Sequence, residues 1–272
     1  MKHPAIRNPW PEAPVRFNRR TTSTMEDARR LFISGCPEGT VILTDFQTAG
    51  RGRIAERRWI AEAGKNLLFT VVLRRQGGTG GIAAAPQRLP LIAGLALALS
   101  VEHLYGLSVQ LKWPNDLLFR EKKLAGILCE ALVEGKSVGL LVGIGVNCNQ
   151  VTFPRELESK ATSLARVLGR RINRFDLLQD VLGKLKTGLE DKDWHAKVVE
   201  RLYGLRRTNE ASHTVLLSVA AGAASSRQGS EMRGVILGLN PDGSLLFQPE
   251  NADPVSVYSG EIRFVVAGAE TE

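Results

Sequence analysis

Two patterns of apolar and polar positions divide this chain. Before residue 204, long apolar segments alternate with polar corners; from residue 213 the apolar positions come in short runs separated by turn signals. In the first part, residues 24–34 read as a helix, with Ser23 and Glu26 spaced as a capping box. Residues 41–46 are rich in β-formers and read as a strand, and residues 66–73 as a second, apolar and buried one. Residues 76–90 are rich in Gly and Ala and read as a flexible excursion. The pattern then predicts an apolar helix over 91–105, a strand over 109–113, and strands over 123–132 and 137–147. The turn Glu134-Gly135-Lys136 makes the last two an antiparallel hairpin. Helices follow over 162–168, 174–189 and 194–203, with Asn173 and Asp176 marking the start of the second.

The second part predicts five short strands: 214–219, 232–239, 244–248, 255–258 and 262–266, with Asn240-Pro241-Asp242-Gly243 as a strong turn. That density of short strands suggests a small SH3-like β-barrel. The expected organisation is an irregular arm over 1–15, a catalytic domain over 16–208 and the barrel over 209–272, with a linker near 204–212. The arm carries Pro4, Pro9, Pro11 and Pro14 among polar residues, unlike a signal peptide or an amphipathic targeting helix. No apolar run has bilayer length, residues 89–99 being too short, so no membrane partner and a cytoplasmic location are expected.

Composition changes this picture little. The chain of 272 residues is 43% hydrophobic and 24% charged, ordinary for a globular protein with a substantial core. Cys36, Cys129 and Cys148 are odd in number and lack zinc or redox spacing, so free thiols are expected, with Cys129 and Cys148 in the core. His3, His103, His195 and His213 lack metal-ligand spacing. The net charge of +8 would suit nucleic acid, or equally an acidic protein partner and phosphate groups. The scatter of Lys and Arg favours the second.

Candidate chemistry sits at two polar corners. One is Lys112-Trp113-Pro114-Asn115-Asp116, followed by Lys122-Lys123-Leu124-Ala125-Gly126. Charged, amide and aromatic groups between apolar strands suit neither a core strand, where each polar group needs a partner, nor a solvated loop. The other is Gln47-Thr48-Ala49-Gly50-Arg51-Gly52-Arg53, followed by Arg57, Arg58 and Trp59. Glycines alternating with arginines let a backbone approach an anion and guanidinium groups neutralise it. The run lacks the Lys-Ser/Thr ending of a P-loop and does not match the dinucleotide fingerprint.

With Ser23-Thr24 and Gly143-Ile144-Gly145-Val146-Asn147, these corners form four landmarks in the order found in biotin–protein ligases, which the chain resembles over about residues 15–266. The resemblance implies an α/β fold: a mixed, mainly antiparallel sheet flanked by helices, related to class II aminoacyl-tRNA synthetases, with the small C-terminal β-barrel. It implies an enzyme that activates biotin with ATP and magnesium as biotinyl-AMP. The biotinyl group then passes to a lysine of the biotin carboxyl carrier protein of acetyl-CoA carboxylase. The stretch before Ser23 is short and Pro-rich, so the form without an N-terminal DNA-binding domain, and no DNA partner, is expected. The chain would act as a monomer or homodimer.

The same resemblance assigns residues. Biotin binding falls to Ser23, Thr24, Met25, Gln47, Gly50, Arg51, Gly52, Arg53, Trp59 and Lys123. Met25 stands where many members have Asn, so only a backbone contact is carried over there. Nucleotide binding falls to Arg51, Arg53, Lys112, Trp113, Asn115 and Asn147; metal binding to Asp116; catalysis to Lys123, Arg53 and Asp116. Ser23 reads equally as a helix cap, and Trp59 either covers a ligand or packs beneath the loop. Trp113 reads as pocket wall. Lys123 is preferred over Lys122 because the family's lysine directly precedes Leu-Ala-Gly. A lipoate or octanoate ligase on the same fold, and a biotin-responsive regulator, are the alternatives.

Overall fold

The computed structural model describes residues 6–54, 56–76, 87–135, 137–203, 214–219 and 230–264. Seven strands form the main sheet: β1 (Val15–Asn18), β2 (Thr40–Thr44), β3 (Leu67–Gln76), β4 (Gln110–Lys112), β5 (Asp116–Phe119), β6 (Lys122–Glu134) and β7 (Ser137–Val146). Their order is β1-β2-β3-β7-β6-β5-β4. Only β1 and β2 run parallel; every other pair is antiparallel. The predicted hairpin is present, with Glu134 paired to Ser137.

The helices are α1 (Thr24–Ile33), α2 (Arg88–Tyr105), α3 (Leu164–Leu168), α4 (Arg174–Gly188) and α5 (Trp194–Glu200). Helix α2 is long and apolar enough to cross a bilayer by length and composition. It is instead a core helix, buried nearly all round against α4, α5 and the sheet. It begins at Arg88 rather than residue 91, so the tail of the expected excursion is helical and Pro90 sits in the first turn, where its missing N–H costs nothing. Residue 76 ends β3, while residues 77–86 of that excursion, and the linker near 204–212, lie outside the described residues.

Two strands depart from the expected pattern. β1 occupies residues just after the arm, tied to β2 through Val41 N–H and Pro14 C=O at 3.0 Å. β5 completes a hairpin with β6 through Arg120 and Glu121, both with positive φ (46° and 67°).

The sheet buries both faces. Strand alternation sends Val41, Leu43, Val71 and Leu73 into the large core beneath α2 and α4, and Ile42, Val72 and Leu141 into a smaller cluster beneath α1 with Met25, Ala28 and Phe32. The C-terminal strands β8 (Val215–Val219), β9 (Ser230–Leu239), β10 (Leu245–Pro249), β11 (Val255–Val257) and β12 (Glu261–Phe264) form a second antiparallel sheet, ordered β11-β10-β9-β8-β12. Its apolar face, including Leu217, Leu245 and Phe247, belongs to the same core as the main sheet. Trp113 lies at the junction: it is 2% exposed and its Nε1 donates to Gly243 C=O at 3.2 Å.

Candidate active site

The sequence builds the site on a floor with almost no side chains. Gly126 on β6 pairs with Gly145 on β7, and the Trp59 indole lies across both. A Cβ on Gly145 would come within 2.7 Å of that indole, and one on Gly143 within 2.7 Å of Met25 Sδ. Only glycine permits this approach, because anything larger overlaps a neighbouring ring or sulfur. The cleft above is lined by the Leu128 side chain and by the backbone of Phe69, Ile127 and Ile144, whose side chains belong to the core on the other face of the sheet.

At one end stands the start of α1. Ser23 caps the helix, its Oγ accepting from Met25 N–H at 3.3 Å. The predicted capping box does not close: Glu26 turns away and pairs with Arg51 at 2.7 Å. Charge attraction to the loop competes successfully with the neutral cap. Gln47 Oε1 accepts from Thr24 N–H at 2.8 Å and from Thr24 Oγ1 at 3.1 Å. The backbone N–H can only donate, so the amide must present oxygen there. Thr70 Oγ1 donates to Thr24 Oγ1 at 2.8 Å and fixes that hydroxyl in turn.

At the other end stands Lys123. The β5–β6 ladder shifts register between Leu117 and Leu118, so Leu117 faces Ala125 while Leu118 faces Lys123. In a regular strand, residues 123 and 126 would face opposite sides of the sheet. The bulge puts both on the cleft side, with Leu124 and Ala125 buried between them. Lys122 is left exposed. The backbone of Lys123 is held by Lys160 C=O at 2.8 Å and Thr162 N–H at 3.0 Å, and Asn147 Nδ2 donates to its carbonyl at 3.4 Å. Lys123 Nζ lies 2.6 Å from Asp116 Oδ1, at an angle outside hydrogen-bond geometry, so the contact is an ion pair rather than a directed bond.

The Gly-Arg loop folds over the cleft as a small hairpin. Trp59 N–H donates to Gly50 C=O at 3.0 Å and Gly52 N–H to Arg57 C=O at 2.8 Å. Arg51 Nη2 lies 2.7 Å from Glu26 and 3.4 Å from Glu130, which also binds Arg29 at 2.6 Å. Arg53 reaches the second sheet, donating to Gly260 C=O at 2.7 Å and Ser259 Oγ at 3.2 Å. Burial lowers its pKa, against the opposing pull of Asp116 and Glu261. The Trp59 Nε1–H is buried and has no acceptor among the described residues.

The cleft thus brings together Ser23, Thr24, Met25, Gln47, Arg51, Gly52, Arg53, Trp59, Asn115 and Lys123. Five expected site residues do not line it. Gly50 closes the loop hairpin. Asp116 stands behind Lys123, and Asn147 supports the Lys123 backbone. Lys112 lies beside Trp113 between Asp116 and Glu261, its pKa lowered by burial. Trp113, expected as pocket wall, packs against the second sheet because its indole N–H finds an acceptor there. Asn115 Nδ2 is bonded to Ile127 C=O at 2.7 Å, which pins the corner to β6. The sequence reading missed Phe69, Gly126, Ile127, Leu128, Gly143, Ile144 and Gly145 as lining; Gly143-x-Gly145 was a landmark whose role becomes visible only with Trp59 and Met25 in place. His103 pairs with Asp180, and His195 bonds Leu239 C=O; both lie outside the cleft. His3 and His213 lie outside the described residues.

A mixed sheet carrying a cleft with a glycine floor and cations at one end suits a ligand that is apolar along its length and anionic at one end. The chain belongs to the biotin/lipoate A/B protein ligase family, whose model matches residues 17–147. It is 31% identical over 244 residues to the bifunctional ligase/repressor BirA of Bacillus subtilis, covering 89% of this chain and 71% of that protein. It is 38% identical over 160 residues to the biotin–[acetyl-CoA-carboxylase] ligase of Paracoccus denitrificans, covering 58% of this chain and 64% of that protein. Among solved structures it resembles the biotin protein ligase from Aquifex aeolicus in complex with biotin and ATP, with TM-score 0.73 and 27% identity over 92% of this chain and 98% of that one.

Proposed function

We propose that the chain is an ATP-dependent biotin–protein ligase, which forms biotinyl-AMP and transfers the biotinyl group to a lysine of the biotin carboxyl carrier protein of acetyl-CoA carboxylase. One observation carries the reading: the cleft has opposite chemistry at its two ends. Ser23 and Gln47 stand at one, the Lys123–Asp116 pair and Arg53 at the other, with an apolar floor between. Biotin has the same polarity, a ureido ring and a carboxylate joined by an aliphatic chain.

Each group then has a task. The Ser23 hydroxyl keeps its own hydrogen for the ureido oxygen, and Gln47, its oxygen engaged by Thr24, offers Nε2 to the ligand. Thr24 braces Gln47, and Met25 supplies wall through its side chain and holds Ser23 through its backbone. The aliphatic chain follows Leu128 and the glycine floor beneath the Trp59 indole. In the first step a biotin carboxylate oxygen attacks the α-phosphorus of ATP, and the bond to the pyrophosphate oxygen breaks. Two anions must meet, so Lys123 and Arg53 stabilise the developing charge. The unpaired Trp59 N–H offers a further donor to the intermediate. In the second step the carrier lysine amine attacks the acyl carbon and AMP leaves; Asp116 orients the incoming amine.

Asp116 is the one carboxylate beside Lys123 and is already paired with it. Among the described residues no group of three or more His, Cys, Asp or Glu side chains could hold a metal. With no metal cage among the described residues, magnesium would enter on the ATP phosphates. Lys112 and Asn147 are proposed as nucleotide-side groups acting at longer range. Cytoplasmic residence fits three cysteines that are free thiols, of which Cys148 is buried and pushed up to about 12 by that burial. The reading is tested by incubating the chain with ATP, a biotin carboxyl carrier domain and either biotin or lipoate. A single biotinyl addition on one carrier lysine is expected from intact-mass and peptide analysis; a lipoyl addition instead would reassign the chain within its family.

A further inference from the structure

We propose that Glu261, on the second sheet, is a positioning residue that latches the Gly-Arg loop over the cleft and so sets how long the acyl-adenylate is retained. The proposal rests on the adenylate reading of the cleft. Its geometry is independent of that reading. Arg57 Nη1 and Nη2 donate to Glu261 Oε1 and Oε2, both at 2.8 Å, a parallel two-bond pair that fixes orientation as well as distance. The two residues just before Glu261 receive Arg53. One three-residue corner therefore takes both arginines of a loop some two hundred residues upstream in sequence.

The corner is rigid. Ile262 is 1% exposed in the second sheet's core, and β12 pairs with β8 through Ile262 and Leu217. A Cβ on Gly260 would meet Leu217 and Ser218 C=O at 3.0 Å. On the loop side, the Arg57 carbonyl closes the small hairpin whose far strand ends at Trp59, over Gly126 and Gly145. Holding Arg57 therefore holds Trp59 in the cleft.

The two arginines are also held differently. Glu261 neutralises Arg57. Arg53 donates its hydrogen bonds to a carbonyl and a hydroxyl, with Asp116 and Glu261 acting on it only at longer range; neutral acceptors orient a guanidinium and leave most of its charge for an anion in the cleft. Arg57 thus acts as the anchor and Arg53 as the charged cover, and exchanging their acceptors would spend the charge needed at the phosphate.

The test uses the full chain. Glu261→Gln keeps the shape and removes the charge. In the ligand-free protein, tryptic cleavage within the Gly-Arg loop should rise, while the control Glu231→Gln, at a glutamate of the same sheet that pairs with Arg263 instead of the loop, leaves it unchanged. Loss of preformed biotinyl-AMP from the protein, followed by filtration, should speed up by roughly twofold to fivefold, the upper part of the range expected of a half-exposed charge pair. Biotin-dependent pyrophosphate exchange should persist. Arg57→Glu and Glu261→Arg should each leak adenylate, and the double variant should recover retention, which mere destabilisation of the second sheet would not produce. Loop cleavage unchanged in Glu261→Gln overturns the latch whatever the cleft binds, and so does a double variant that leaks as much as the singles. A parent chain that forms no adenylate but loses loop protection on Glu261→Gln would overturn the proposed ligand and leave the latch standing.

Discussion

The floor of the cleft and the loop above it are held by opposite means. The floor is backbone: Gly126 and Gly145 pair directly, and Lys123 is fixed through its own N–H and C=O by Lys160 and Thr162. The loop is held by side-chain charge reaching three separate elements, Arg51 to Glu26 of α1 and Glu130 of β6 on one side and Arg57 to Glu261 of β12 on the other. Backbone ladders open only with the sheet, whereas half-exposed ion pairs exchange with water and are screened by salt. A site divided in this way would keep its reacting groups in place even if its cover opened.

Removing the floor's cation tests the division most severely. Lys123→Ala should slow biotinyl-AMP formation by about a hundredfold or more, the cost of losing a fixed donor to developing charge, ~3 kcal/mol. Lys122→Ala, on the exposed side of the bulge, should stay near the parent in the same single-turnover assay. Equal losses would mean that the bulge does not select the lysine.

A side chain on the floor comes next. Gly145→Val drives a branched side chain into the Trp59 indole. Overpacking of this kind typically costs about 1–3 kcal/mol. It should appear as weaker biotin binding by calorimetry with a smaller change in melting temperature, because the loop can swing away where the sheet cannot.

The loop should respond in a different quantity. Arg53→Gly should leave biotin affinity within about threefold, because Ser23, Gln47 and the apolar walls remain, while the adenylate escapes. Biotinylation of lysines on a bystander protein measures that escape. A variant that held adenylate as tightly as the parent would remove Arg53 from the cover.

The smallest effect is that of pH on the latch. The hydrogen bonds from Arg57 hold the Glu261 carboxyl below its ordinary 4.5, with the charges of Arg57, Lys112 and Arg263 acting the same way and burial opposing them. A depressed carboxylate contributes above its unfolded pKa and loses that contribution as pH falls through the folded value. Adenylate retention should therefore be flat between about pH 5 and 8 and fall only below that window.

Much of the floor was legible in the sequence, and little of the latch. The β6–β7 hairpin was marked by apolar strands around Gly135, and the Lys112-to-Gly126 block identified the corner that carries Lys123. β5 was missed because its turn to β6 uses Arg120 and Glu121 at positive φ, a conformation normally signalled by Asn-Gly or Asp-Gly. The bulge that aims Lys123 was equally silent, since it depends on pairing with Leu117 and Leu118 rather than on any residue type. The Ser23–Glu26 spacing suggested a capping box, but Arg51, distant in sequence, takes the glutamate. Glu261 carried no signal, because nothing local marks a carboxylate whose partner is supplied by another sheet.

The central claim is that this cleft activates biotin. ATP–pyrophosphate exchange measured with biotin, lipoate and octanoate side by side tests it directly. Exchange should depend on biotin and be negligible with the other two acids. Exchange with lipoate or octanoate equal to or above that with biotin would contradict it.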